Sequence, residues 1–103
     1  MTVLERRKSA PSKPNYITLL PPGKIISEKI FEMGIDATEL ANRCNLSLET
    51  IQQLLNAEIP LTLDIARAIE RVTWMQADGM MRVEESYQNN LRFHKEHPDY
   101  PVL

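Results

Sequence analysis

Two helix starts written in the same grammar, at Asp36 and Ser47, constrain this chain more than any other feature. In the stretch DATELANRCNLSLETIQQLLN, Asp36 suits an N-cap and Glu39 stands three residues on to complete a capping box. Ile35 before the cap and Leu40 at the fourth helical position form a hydrophobic staple. The second start repeats the pattern, with Leu46 as the staple residue, Ser47 as the N-cap and Ile51 as the staple's partner. Between them, Asn45 fits a left-handed turn. Two short helices joined so tightly cannot lie antiparallel. The turn holds them at a steep angle and projects the second as a ridge.

Helical punctuation continues on both sides. Pro22 fits a first helical turn, Ile26, Ile30 and Met33 recur at helical spacing, and Gly34 stops the element as a left-handed cap. The second helix runs to about Cys44 with Leu40, Ala41 and Cys44 inward, and the third carries Ile51, Leu54 and Leu55 until NAEIP ends it. Thr62 caps a fourth helix whose Ile65, Ile69 and Val72 face the core, with Ala66 and Ala68 beside them. A fifth starts near Ala77, ends before Pro98 and bears a stripe at Met80, Val83, Tyr87 and Leu91. Only YITLL, Tyr16 to Leu20, has strand character; it either pairs as a strand or packs on the body. The fold class expected is all-α: a five-helix bundle occupying residues 21–97, with its bihelical motif at 36–56 and a short tail at 98–103. Residues 1–20, with Ser9, Pro11, Ser12 and Pro14 and no sustained apolar period, read as a flexible basic arm; plain disorder is the equal alternative.

Length and composition suit one compact domain: 103 residues, 43% hydrophobic and 25% charged. No apolar run approaches the roughly 20 residues needed to cross a bilayer. The charged start at Glu5–Lys8 has no apolar core after it, which speaks against a signal peptide. A single cysteine, Cys44, permits no internal disulfide and leaves a reducing cytoplasm as the expected location. The net charge of −2 conceals a split: residues 1–24 carry +4 and residues 25–103 carry −6. The pattern is a basic arm on an acidic body.

A ridge of helical diameter fits the major groove of B-form DNA. On a wheel centred on Ile51, the outward positions are Glu49, Gln52, Gln53 and Asn56, with Leu48 at the edge. Glutamine and asparagine pair with adenine, a carboxylate accepts from the cytosine amino group, and a leucine touches a thymine methyl. The plain alternative makes these ordinary solvated positions, and composition alone favours it; the double capping at fixed spacing tips the balance towards a presented reading helix. That helix has no lysine or arginine. Its phosphate contacts must come from Arg43 at the end of the second helix, Lys24 at the start of the first, and Arg6, Arg7 and Lys8 in the arm. Glu49 repels phosphate, so a dimer offering two reading helices is expected.

From Pro22 to Tyr87 the chain resembles the HigA-type addiction-module antitoxins of the Xre or lambda-repressor-like helix-turn-helix class. The stretches that carry this are LPPGKIISEKIFEMGI, ATELANRC, NLSLETIQQLLNAEIPLTLDIARAIERV and, more faintly, ADGMMRVEESY. The resemblance implies a homodimer, a palindromic double-stranded operator and sometimes a cognate RNase toxin. It also implies DNA contacts from Ser47, Leu48, Glu49, Gln52 and Gln53, with Thr50 beside them. The chain departs from the family at Ala57 and Trp74, where glycine is usual, and at Ala37, where a polar residue is common. It departs also at Met80, often tryptophan, and at Leu48 and Glu49, often arginine or serine.

Other chemistry is poorly supplied. His94 and His97 lie three apart, but no further cysteine or histidine pair exists to complete a structural zinc site, and no metal or other cofactor is expected. Cys44 falls on the inward face of its helix and packs as a small apolar residue. Glu84 and Glu85 are adjacent, so a helix splays them about 100° apart, and Glu28 with Glu32 is a solvated pair. Without a serine–histidine pair or a glycine-rich phosphate loop, an enzyme is not expected. The stripe on the fifth helix either closes the core, chiefly through Met80 and Val83, or serves a dimer seam, chiefly through Tyr87 and Leu91. Two functions remain open: a dimeric, antitoxin-like DNA-binding autorepressor, or a protein-interaction module for a toxin or regulator on the same fold. Neither involves a membrane.

Overall fold

The computed structural model describes residues 17–102. Within them the chain forms five helices and no strand: α1 (Pro22–Met33), α2 (Ala37–Cys44), α3 (Leu48–Leu55), α4 (Leu63–Thr73) and α5 (Ala77–Glu96). Among the described residues no helix is long and apolar enough to cross a membrane.

Local chemistry sets each boundary. Pro22 opens α1, where its missing N–H deprives no carbonyl of a partner. Gly34 closes it at φ 75°, with Gly34 N–H donating to Phe31 O and Ile35 N–H to Ile30 O, the paired bonds of a Schellman cap. Asn45 repeats that cap after α2 at φ 59°, with Leu46 N–H donating to Ala41 O at 2.9 Å. Asp36, Ser47 and Thr62 accept from the amides of Glu39, Thr50 and Ile65 as N-caps, each such cap contributing about 1 kcal/mol. The box expected at Asp36 differs in one respect: the Glu39 carboxylate pairs with Arg43, one turn further along α2. Staple residues Ile35 and Leu46 pack against the core.

Ile26, Leu40, Ile51, Leu54 and Ile69 are the largest apolar side chains fully removed from water, and burial of each stabilises the fold by about 2 kcal/mol. Helix α1 packs on α3 and α5, α2 on α3 and α4, and α4 on α5. The α4 stripe faces the core as expected: Ile69 is buried with Ala66 and Ala68 beside it, and the half-buried Ile65 and Val72 pack against the core. Where α2 meets α4, the Cys44 thiol donates to Ala68 O at 3.6 Å. On α5 the inward residues are Ala77, Met80 and Glu84. The buried Glu84 accepts from Leu61 N–H at 3.1 Å and from the Gln88 amide at 2.6 Å, tying the α3–α4 loop to α5.

The segment before α1 is anchored on the body. Ile17 is buried, its N–H donates to Pro101 O at 2.9 Å, and it forms an isolated parallel bridge with Val102. Asn90 donates to Thr18 O at 2.8 Å. Of the YITLL stretch, Ile17 both pairs and packs on the body, while Tyr16 lies outside the described residues. The returning tail is held by Phe93, whose ring meets His97 and Tyr100 at centroid distances of 4.3 and 4.9 Å.

Candidate nucleic-acid interface

Helix α3 is held in place by its inner face and its caps. Ile51 and Leu54 are 0% and 1% exposed, which fixes the rotation of the helix and turns the opposite side to solvent. Its first turn is locked by Ser47: Thr50 N–H donates to Ser47 Oγ at 3.0 Å, and the Ser47 hydroxyl donates to Thr50 Oγ1 at 2.8 Å. The last turn ends in a further Schellman cap, in which Glu58 N–H donates to Gln53 O at 2.8 Å. That cap requires Ala57 at φ 60°, a left-handed conformation that costs an L-residue roughly 1–2 kcal/mol.

Glu49, Gln52, Gln53 and Asn56 together line one open, polar recess on the outer side of α3, with Leu55 and Glu58 completing it. Leu48 stands 38% exposed at the helix start. Ser47 is exposed and Thr50 half-buried, with both hydroxyls engaged in the cap. Leu55, expected on the apolar stripe, is half-buried: it packs against the core and also borders the recess. Glu58 lies beyond the helix end, where a helical wheel no longer applies. The signal for Glu58 is the left-handed turn at Ala57, which folds the chain back against the last turn of α3.

The recess holds two carboxylates and no lysine or arginine. The nearby cations flank the ends of α3. Arg43 is on the last turn of α2, four residues before the Ser47 cap, and it is paired with Glu39. Lys24 is exposed and follows Gly23, which lies directly against the carboxyl end of α3: a Cβ at Gly23 would fall 2.2 Å from Leu54 O. Arg6, Arg7 and Lys8 lie outside the described residues.

The four residues of the α5 stripe separate. Met80 is 5% exposed and belongs to the core. Val83 and Tyr87 line a groove with Thr18, Leu20, Arg82, Ser86 and Asn90, and Leu91 lies in a second groove with Gln88, Arg92, His94 and Lys95. Cys44 is buried, and burial pushes its thiol above the ordinary 9.0 against a smaller opposing pull from Arg71. Among the described residues no three histidine, cysteine or acidic side chains gather to hold a metal ion.

No protein-family model matches the chain, and no curated protein matches it. Solved structures do. Antitoxin HigA of Pseudomonas aeruginosa, solved with the higBA promoter, superposes with a TM-score of 0.72 at 20% identity, covering 79% of this chain and 89% of that one. A hypothetical protein from E. coli superposes at 0.62, also at 20% identity, covering 77% and 87%. At this identity the likeness is one of fold. The described residues have an all-α, five-helix architecture of helix-turn-helix fold, with α2 and α3 as the bihelical unit.

Proposed function

We propose that this chain is a sequence-specific DNA-binding transcription regulator, an antitoxin-like autorepressor that works in the cytoplasm as a homodimer on a palindromic operator. The observation that carries this reading is the outward face of α3. Buried Ile51 and Leu54 and the caps at both ends hold it rigid, and it presents Leu48, Glu49, Gln52, Gln53 and Asn56 together. The fold shared with an antitoxin solved on promoter DNA supports it.

The charge distribution divides the labour. The amides and carboxylates of α3 specify bases, while Lys24, Arg43 and the basic arm, Arg6, Arg7 and Lys8, hold phosphates. One protomer with an acidic recess binds weakly. Two protomers, joined through Val83, Tyr87 and Leu91 of α5, present two reading helices one turn of DNA apart, roughly 34–36 Å. A cognate toxin is the further partner that the antitoxin reading brings with it.

Glu49 and Glu58 in the recess favour a second reading, in which the same face docks a protein and DNA is not bound. Fluorescence anisotropy on duplexes from the region upstream of the gene separates the two. The regulator binds one of these duplexes in preference to a scrambled one, and deletion of residues 1–15 weakens both complexes alike while flattening the salt dependence. Absence of binding at low salt to every duplex defeats the regulator and leaves the docking module.

A further inference from the structure

The hydrogen-bonding inventory of the α3 recess is lopsided, and this fixes the bases it accepts. Glu49 and Glu58 are acceptor-only carboxylates, Gln52, Gln53 and Asn56 each offer a donor and an acceptor, and no side chain in the recess is a pure donor. The Ser47 hydroxyl, next to it, already donates to Thr50 Oγ1 and accepts from Thr50 N–H. Guanine presents only acceptors, N7 and O6, to the major groove, and its usual readers are arginine and lysine. A guanine edge brought against Glu49 would set carbonyl and ring-nitrogen lone pairs against a carboxylate.

Glu49 accepts only from an exocyclic amino group, which cytosine and adenine carry. The two differ beside that group: adenine places the N7 acceptor there, cytosine a C5–H. A carboxylate spanning adenine meets N7 with its second oxygen, whereas on cytosine that oxygen meets only carbon. Resting on the DNA-binding reading above, we infer that Glu49 is a specificity-determining residue that selects cytosine and rejects guanine at one position of each half-site. The glutamines beside it select adenine, and Leu48, 38% exposed, packs on a thymine methyl. At the position that Glu49 contacts, the operator strand facing α3 therefore carries no guanine.

Selection from a random duplex library, run with the full chain and with Glu49→Gln and Glu49→Ala, tests this. Glu49 is exposed and its side chain is no part of the Ser47 cap, so circular dichroism should show all three proteins folded alike. The wild type should enrich a motif with cytosine at one position per half-site, favoured over guanine by roughly tenfold or more. Glu49→Gln should convert that position to adenine, and Glu49→Ala should leave it without preference while the remaining positions persist. A motif with guanine at the position that the Glu49 variants alter, or one that neither variant alters, overturns the assignment of Glu49 while leaving DNA recognition intact. Enrichment of no motif by any of the three proteins defeats the DNA reading and this inference together.

Discussion

Replacing Gly23 with alanine should destabilise the protein, although helix propensity alone says the reverse. Gly23 is the second residue of α1, where alanine would ordinarily be favoured by up to about 1 kcal/mol. The added Cβ, however, would lie 2.2 Å from Leu54 O and 2.9 Å from both Leu55 Cα and Leu55 O. All three are backbone atoms, so no side chain can rotate away, and α1 must retreat from α3 by roughly 1 Å. Overpacking of this kind costs about 1–3 kcal/mol, and the backbone clash places it at the upper end. After subtracting the propensity gain, the net loss is about 2 kcal/mol, which lowers the melting temperature by about 8–16 °C in a domain of this size. Gly79 is the internal control. It is the third residue of α5 with nothing within 4 Å of its would-be Cβ, so Gly79→Ala should stabilise by about 0.5–1 kcal/mol. Thermal and urea unfolding followed by circular dichroism measures both. If the two variants shift in the same direction by similar amounts, α1 does not rest on the backbone of α3 and the placement of Lys24 beside the reading helix is wrong.

Three further outcomes are expected. Trp74→Gly should stabilise by about 0.5–1 kcal/mol in urea unfolding, because Trp74 is 88% exposed with little packing to lose and sits at φ 68°, a strain of about 1–2 kcal/mol that glycine relieves before its extra chain entropy is counted. Glu84→Ala should cost about 1–3 kcal/mol by leaving Leu61 N–H buried without an acceptor, while Glu84→Gln, which keeps an oxygen there, should cost less. Cys44 has its thiol raised by burial, so the folded state retains this proton more strongly than the unfolded state. Unfolding free energy should therefore be unaffected by Cys44 below pH 9.0 and fall as pH rises beyond it, a fall that Cys44→Ala abolishes.

Helix starts and stops were the most legible part of the chain, because they depend on chemistry within four residues. Asp36, Ser47 and Thr62 announce N-caps through their side-chain oxygens, and Gly34 and Asn45 announce left-handed ends through their tolerance of positive φ. Ala57 and Trp74 occupy the same conformation without any such signal. In the antitoxins that the sequence resembles, glycine is usual at both positions, and the left-handed backbone at Ala57 and Trp74 gives the physical reason. Three-dimensional packing was harder to read. Glu84 is a surface residue by type, yet it is 7% exposed because an unpaired amide at Leu61, 23 positions earlier, requires an acceptor. Of the two uses open to the α5 stripe, Met80 takes the core one, which periodicity alone does not decide. In the recess, Glu49, Gln52, Gln53 and Asn56 followed from helical period alone, whereas Glu58 depends on a turn that period does not describe.

The most direct measurement is the backbone amide spectrum of the isotope-labelled chain titrated with its best-binding duplex. If α3 is the reading element, the largest shifts fall on Leu48, Glu49, Gln52, Gln53 and Asn56, with smaller ones at Lys24 and Arg43 and little change in the Ile26–Ile69 core. Strong shifts elsewhere, with the Ser47–Asn56 amides unmoved in the presence of saturating DNA, would contradict the assignment of this helix as the surface that recognises bases.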